Sequence, residues 1–224
     1  MTVPPAPQAH PAVRGSIVAM PWSVVLPVKR TDVAKSRLVT VPPPVRRRLA
    51  LAFAADTLAA VLPCPDVVQA VVVTDDPDAA QQAGAVGALV VDDRPSNGLN
   101  PALAFGAVHA LQARPDAGVV LLSADLPALR TPELARVLAA AAAHPSAFVA
   151  DASGLGTTLV AATRGQPTPL FGRRSRARHR AAGLVEITLP DVASVRRDVD
   201  DAVDLWDAVR LGVGPATRAV LGGA

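Results

Sequence analysis

The chain has no tyrosine, and aromatic residues make up only 3% of its 224 positions. That scarcity excludes the row of aromatic faces on which single-stranded nucleic acid stacks. A single cysteine, Cys64, excludes an internal disulfide and any cysteine-cluster metal site. No apolar run approaches the ~18–20 residues that a membrane-spanning helix needs, so no membrane partner is expected. Prolines at positions 4, 5, 7, 11 and 21 interrupt the start of the chain, and no basic stretch precedes an apolar one there. A helical signal core is therefore not expected. Residues 1–22 read as a disordered proline-rich leader, with Met20 as an alternative start. Residues 23–224 read as a single domain, and the default location is the cytoplasm. A strong excess of one charge is also missing, with 22 Lys and Arg against 19 Asp and Glu. Half the residues are hydrophobic and 18% are charged, which suits a buried core rather than a disordered chain.

Short apolar runs alternate with helical spacing. Ser23–Val28, Val67–Val73, Val86–Val91 and Val119–Leu122 read as buried strands, the second continuous and β-branched. Ala147–Asp151, Thr158–Ala162, Val185–Leu189 and Val195–Val199 read as further strands. Leu49, Phe53, Leu58 and Leu62 recur near helical spacing after Pro42–Pro44. Pro101–Gln112 and Asp201–Leu211 read as helices. Another begins at Thr131-Pro132, with threonine as its cap. The alternation predicts an α/β fold, a mostly parallel sheet with helices on both faces. Ligands in such folds sit beyond the carboxyl ends of the strands, where several of these runs end in acidic or polar residues.

Four constellations lie at those ends. Of the 22 positive residues only two are lysines, Lys29 and Lys35, and both follow the first strand with Arg37 close behind. A compact ammonium on a flexible stem suits polyphosphate oxygens, although a solvated loop would also carry such residues. Asp125 ends one strand; Asp198 and Asp200 end another and, two apart, point to one side of it. Such carboxylates suit Mg²⁺ in phosphate chemistry, or they cap helices. Gly154-Leu-Gly156-Thr157 and Phe171-Gly172-Arg-Arg-Ser175 combine close backbone approach with hydroxyls and the start of a helix; a hairpin turn and a helix cap would look the same. The run Arg173–Arg180 reads as a nucleic-acid patch or as a pocket for a small anion. With few aromatics and a net charge of only +3, the anion pocket is favoured. Cys64 reads as inert packing, and Leu205 and Trp206 as packing of the last helix.

In order, Val25-Leu-Pro-Val-Lys29, Ala34-Lys35-Ser-Arg37-Leu38, Leu99-Asn100, Ser123-Ala-Asp125-Leu-Pro127, Gly154–Thr158, Phe171-Gly172-x-x-Ser175 and Asp198-Val-Asp200 resemble one family. It is the 2-phospholactate/phosphoenolpyruvate guanylyltransferase family of coenzyme F(420) biosynthesis, in its actinobacterial form. The ordered set carries the resemblance, and Arg173-Arg174 is more basic than the family's pattern. The resemblance implies a three-layer αβα Rossmann-like nucleotidyltransferase fold with a mostly parallel mixed sheet. It implies that Lys29, Lys35 and Arg37 hold the GTP triphosphate, with Asn100 near the base or ribose. Asp125, Asp198 and Asp200 would carry Mg²⁺, and Lys29, Lys35, Arg37 and Asp125 would form the catalytic set. Thr157, Gly172 and Ser175 match the positions for the phosphorylated three-carbon acid. The implied acceptor is phosphoenolpyruvate, with 2-phospho-L-lactate as the alternative. A sugar phosphate or molybdopterin acceptor on the same fold is the next reading. Nucleic acid is not expected as a partner, and both a monomer and a homodimer fit.

Overall fold

The apolar segments Trp22–Pro27, Gly118–Leu122, Ser146–Ala150 and Thr157–Ala162 are buried on both faces almost throughout, as central strands between two helical layers must be. The computed structural model describes residues 20–29, 41–94 and 97–223. Its strands are β1 (Trp22–Pro27), β2 (Val67–Val73), β3 (Leu89–Val91), β4 (Gly118–Leu122), β5 (Ser146–Ala150), β6 (Thr157–Ala162) and β7 (Val185–Glu186). Its helices are α1 (Pro43–Val61), α2 (Pro77–Ala85), α3 (Leu99–Ala113), α4 (Thr131–Ala141), α5 (Ser175–Ala181), α6 (Ala193–Arg196), α7 (Ala202–Leu211) and α8 (Pro215–Gly222). The strands form one sheet in the order β3-β2-β1-β4-β6-β5-β7. Only β6 runs against its neighbours; the other pairings are parallel. The start of β6 therefore lies at the same edge as the carboxyl ends of β1, β4 and β5. No helix among the described residues is long and apolar enough to cross a membrane.

Alternation along β1 divides the core. Val24 and Leu26 join Leu58, Val61 and Leu134 beneath α1 and α4, while Val25 joins Leu103, Ala107, Phe148 and Phe171 beneath α3. A third cluster sets Leu49 and Phe53 of α1 against Val199, Ala208 and Val220. There the Asp56 carboxylate accepts from the Ala216 and Thr217 N–H groups at 3.0 and 2.8 Å, holding the start of α8, a helix not expected from the sequence.

Several expected boundaries change for local reasons. The Val86–Val91 strand shrinks to three residues, because α2, capped by Asp76, closes over Val86–Ala88: their N–H groups donate to the Ala83, Gly84 and Ala83 carbonyls, and Gly87 has φ +88°. Val195–Val199 is not a strand: α6 ends at Arg196, and an irregular segment follows. The threonine expected to cap α4 does not cap it; Thr131 Oγ1 donates to the Ala60 carbonyl at 2.7 Å. Trp206 does not pack inward either. It is 58% exposed, with the Arg210 guanidinium 4.6 Å from its ring centroid. Leu205 is partly buried against the third cluster, and Cys64 is buried as expected.

Most of the basic run on α5 is already engaged. Arg176 Nε donates to Glu186 Oε1 at 2.9 Å, Arg180 donates to the same carboxylate, and Arg178 donates to the Phe171 carbonyl at 2.9 Å. These contacts hold α5 against β7; Arg178 and Arg180 remain exposed, whereas His179 is buried.

Two outcomes follow from this packing. At Gly106 a Cβ would sit 2.5 Å from both Val25 Cγ1 and Val73 Cγ2. Gly106→Ala should therefore lose roughly 1–3 kcal/mol to overpacking, against a helix-propensity gain of at most about 1 kcal/mol; a lowered urea midpoint is expected. Burial raises the Glu186 carboxyl, but the hydrogen bonds and charges of Arg176 and Arg180 outweigh it and hold the group below its ordinary value near 4.5. Its stabilisation is complete above that value and is lost as pH falls through the lowered one. Urea titrations from pH 7 to pH 3 should thus show a shallower acid limb in Glu186→Gln. The effect should be small, because Arg180 is largely exposed.

Candidate active site at the carboxyl edge of the sheet

Where β4 ends, the Ser123 N–H donates to the Thr158 carbonyl at 2.8 Å, and the chain turns into Ala124-Asp125. Asp125 in turn receives the irregular segment after α6: the Val199 N–H donates to the Asp125 carbonyl at 3.1 Å. Val199 is fully buried, so the flanking Asp198 and Asp200 are carried to this edge by an apolar anchor. The segment is also tied to the end of β5. Arg196 donates to the Ala150 and Asp151 carbonyls at 3.1 and 2.8 Å, and the Ala152 N–H returns a bond to the Arg196 carbonyl at 2.7 Å.

The result is a crowd of negative charge. Burial, followed by the charges of Asp125, Asp200 and Asp151, pushes the Asp198 carboxyl well above the usual carboxylate range. Asp125, Asp200 and Asp151 thus lie within electrostatic reach of Asp198. Among the described residues, however, no three His, Cys, Asp or Glu side chains are gathered into a ready ligand shell.

Asp151 was not singled out by sequence reasoning. It accepts from Ser153 Oγ, the Leu155 N–H and the Gly156 N–H at 2.9, 3.0 and 2.9 Å. A Cβ on Gly156 would lie 2.3 Å from Asp151 Oδ2, so this glycine is required by the close approach of the carboxylate. The available signal was an aspartate at a strand end followed by Ser153, Gly154 and Gly156, a sequence suited to a side-chain-organised turn.

That turn delivers Thr157 onto an irregular strand. Leu159 and Ala161 face the cluster beneath α1 and α4, and Val160 faces the opposite one. Simple alternation would send Thr157 with Leu159. Instead the register shifts, so that Val149 opposes Leu159 while Ala150 opposes Thr157, and Thr158 becomes the extra residue. Thr157 is thereby turned to the Phe148 face, where its hydroxyl lies 3.0 Å from His179 Nδ1.

Gly172 and Ser175 reach the same place. The Arg176 N–H donates to the Leu155 carbonyl at 3.2 Å and its guanidinium to the Gly154 carbonyl at 3.0 Å, docking α5 on the turn. The Ser175 N–H donates to the Gly172 carbonyl at 3.0 Å. Gly172 has φ +110°, a conformation that favours glycine. Asn100 stands behind this loop: its Oδ1 accepts from the Phe171 N–H at 2.8 Å and its Nδ2 donates to the Phe171 carbonyl at 3.1 Å. Its amide is largely committed to holding the loop.

Lys29 follows β1 at this edge and is exposed. Lys35 and Arg37 lie outside the described residues, as does nearly all of the expected leader. The Arg173 and Arg174 side chains make no hydrogen bond or ion pair among the described residues. The structure thus brings together Asp125, Asp198 and Asp200 on one side, and Thr157, Gly172 and Ser175 on the other.

The chain is similar to several proteins of known name or known structure. A 56% identical relative from Thermomonospora curvata, aligned over 89% of this chain and 88% of its own, is named phosphoenolpyruvate guanylyltransferase. So is a relative from Streptomyces coelicolor, 56% identical over 90% of this chain and 96% of its own. Among solved structures, a protein from Desulfovibrio desulfuricans assigned to the nucleotide-diphospho-sugar transferases superposes with a TM-score of 0.65 at 18% identity, covering 90% of this chain and 94% of that one. 4-Diphosphocytidyl-2C-methyl-D-erythritol synthase superposes with a TM-score of 0.56 at 12% identity, covering 86% of this chain and 99% of that one. These two likenesses confirm the Rossmann-like nucleotidyltransferase fold. The profile of the family described as guanylyl transferase CofC like matches residues 22–220, and the chain belongs to that family.

Proposed function

We propose that this protein transfers GMP from GTP to phosphoenolpyruvate, giving enolpyruvoyl-2-diphospho-5′-guanosine and pyrophosphate, in coenzyme F(420) biosynthesis. The observation that carries the reading is the meeting of an acidic group around Asp125 and Asp198 with a hydroxyl-lined loop, Thr157 and Gly172–Ser175, at one sheet edge. The shared name of the 56% identical relatives favours phosphoenolpyruvate over 2-phospho-L-lactate as acceptor.

The acidic group suits a divalent cation. Burial and three neighbouring carboxylates disfavour charge on Asp198, and a cation would remove that penalty. Mg²⁺ asks for only one or two protein carboxylates and keeps water and phosphate oxygens as its other ligands, so a preformed three-ligand shell is not required. Asp125 and Asp198 would hold it, with Asp200 nearby. When bound it would neutralise charge on the triphosphate of GTP.

The remaining work falls to the chain. Lys29, with Lys35 and Arg37, binds the triphosphate as point charges and planar donors. Thr157, Gly172 and Ser175 bind the three-carbon acid and aim its phosphate at the α-phosphorus of GTP. An acceptor phosphate oxygen bonds to that phosphorus as the bond to the β-phosphate bridge breaks, and pyrophosphate leaves. A phosphate dianion is a nucleophile without a base. His179, with both ring nitrogens engaged, is not placed to supply one. Positioning and charge neutralisation lower the barrier.

The test is an acceptor panel. Protein, GTP and Mg²⁺ are mixed with phosphoenolpyruvate, 2-phospho-L-lactate or a sugar phosphate, pyrophosphate is measured, and products are identified by mass. Pyrophosphate is expected with phosphoenolpyruvate and GTP; release with a sugar phosphate alone would overturn the assignment, and an equal rate with ATP would remove guanine specificity. Chelation by EDTA should abolish turnover and added Mg²⁺ restore it. Asp125→Asn should slow turnover by ~10²-fold or more, in line with removal of a preorganised electrostatic group.

A further inference from the structure

His179 is fully buried at the centre of the acceptor side, and within the basic run it has no role assigned to it individually. Its ring lies between Phe148, with centroids 5.6 Å apart, and Phe171, at 5.5 Å with near-perpendicular planes. Both nitrogens are used. The Leu170 N–H donates to Nε2 at 3.1 Å, and Nδ1 lies 3.0 Å from Thr157 Oγ1.

These two contacts determine where the proton sits. A backbone N–H can only donate, so Nε2 must present its lone pair. In the neutral ring the hydrogen is then on Nδ1, within reach of Thr157 Oγ1 and of the Ser175 carbonyl. Burial first, and the Arg178 charge second, lower the His179 pKa to about 4, while the Ser175 carbonyl pulls the other way. The ring is therefore neutral near pH 7, and a second proton would meet the Leu170 N–H head-on.

A hydroxyl has one hydrogen. Since Oγ1 accepts from His179, that hydrogen is left for another partner, and no acceptor for it exists among the described residues. The opposite tautomer would take the hydroxyl hydrogen and leave lone pairs facing outward, which repel an anion. We propose that His179 is the positioning residue of the acceptor pocket, holding Thr157 as a hydrogen-bond donor toward the carboxylate or phosphate of the acceptor. The same ring fixes the backbone at Leu170, and Asn100 fixes it at Phe171. The two side chains thus set the approach to Gly172 as well as the polarity of Thr157. The inference rests on the acceptor reading above.

The test has two arms. In protein labelled with ¹⁵N-histidine and free of substrates, His179 should show a pyrrole-type Nδ1 and a pyridine-type Nε2 at neutral pH. A protonated Nε2 would overturn the proposal. In the kinetic arm, His179→Leu removes both hydrogen bonds, while His179→Asn retains an N–H near the Nδ1 position. The leucine variant should raise the KM for phosphoenolpyruvate roughly ten- to a hundred-fold, the worth of a hydrogen bond to a charged group. Its KM for GTP should stay within about twofold, and the asparagine variant should recover much of the loss. In a Thr157→Val background the leucine change should add little further. Equal rises in both KM values, or full additivity with Thr157→Val, would mean that His179 only packs the core. Should wild-type protein ignore phosphoenolpyruvate, the substrate assignment fails while the tautomer result stands on its own.

Discussion

Negative charge concentrated at one edge of the sheet is the constraint around which this molecule is built. Asp125, Asp198, Asp200 and Asp151 are near enough that burial and mutual repulsion disfavour charge on Asp198. A folded chain tolerates such crowding only where surrounding structure enforces it. Here buried Val199, the bond from its N–H to the Asp125 carbonyl, and the Arg196 contacts to the end of β5 supply that enforcement. Groups held against their electrostatic preference, in a place open to ligands, are a mark of a functional site.

The opposite wall of the site is electrically different. It is made of hydroxyls and backbone, and its order comes from directed hydrogen bonds rather than charge. Reversal of β6 brings Thr157 to the carboxyl edge, and the bulge at Thr158 rotates it toward His179. Asp151 links the two walls. One of its faces adds to the field at Asp198, while its oxygens hold the turn that leads into Thr157. Such a division suits a reaction between two anions. One wall would suit cations that neutralise charge, and the other presents hydroxyl and backbone donors flanked by the exposed Arg173 and Arg174.

Legibility in the sequence varied with the range of the interaction. The β2 strand could be read at its full extent because valine fills five of its seven positions, a composition that suits a covered sheet. Asp125 stood out because a polar residue at the end of such a run has few other uses. The role of Asp151 was not visible: it depends on the backbone returning at Gly156, and a short carboxylate gives no sign of that closure. Asp198 and Asp200 were expected at the end of a strand but lie in an irregular segment, because alternating valine and aspartate look the same in a strand and in an irregular segment anchored by one valine. Asn100 was read toward the nucleotide, whereas Phe171, 71 positions away, takes up most of its amide.

What the sequence determined by itself was the α/β alternation, the burial of the strands and the chemical types present at their ends. These follow from local hydrophobic periodicity and from what lysine, aspartate and glycine can do. Tertiary structure alone decided which of those groups meet. The strand order, the reversal of β6 and its one-residue bulge are products of packing between distant segments, and a shift of one position turns a side chain to the other face of a sheet. His179 shows the difference most clearly. In the sequence it is one member of a basic run. In the fold it is neutral and buried, and a backbone N–H nine residues away selects its tautomer.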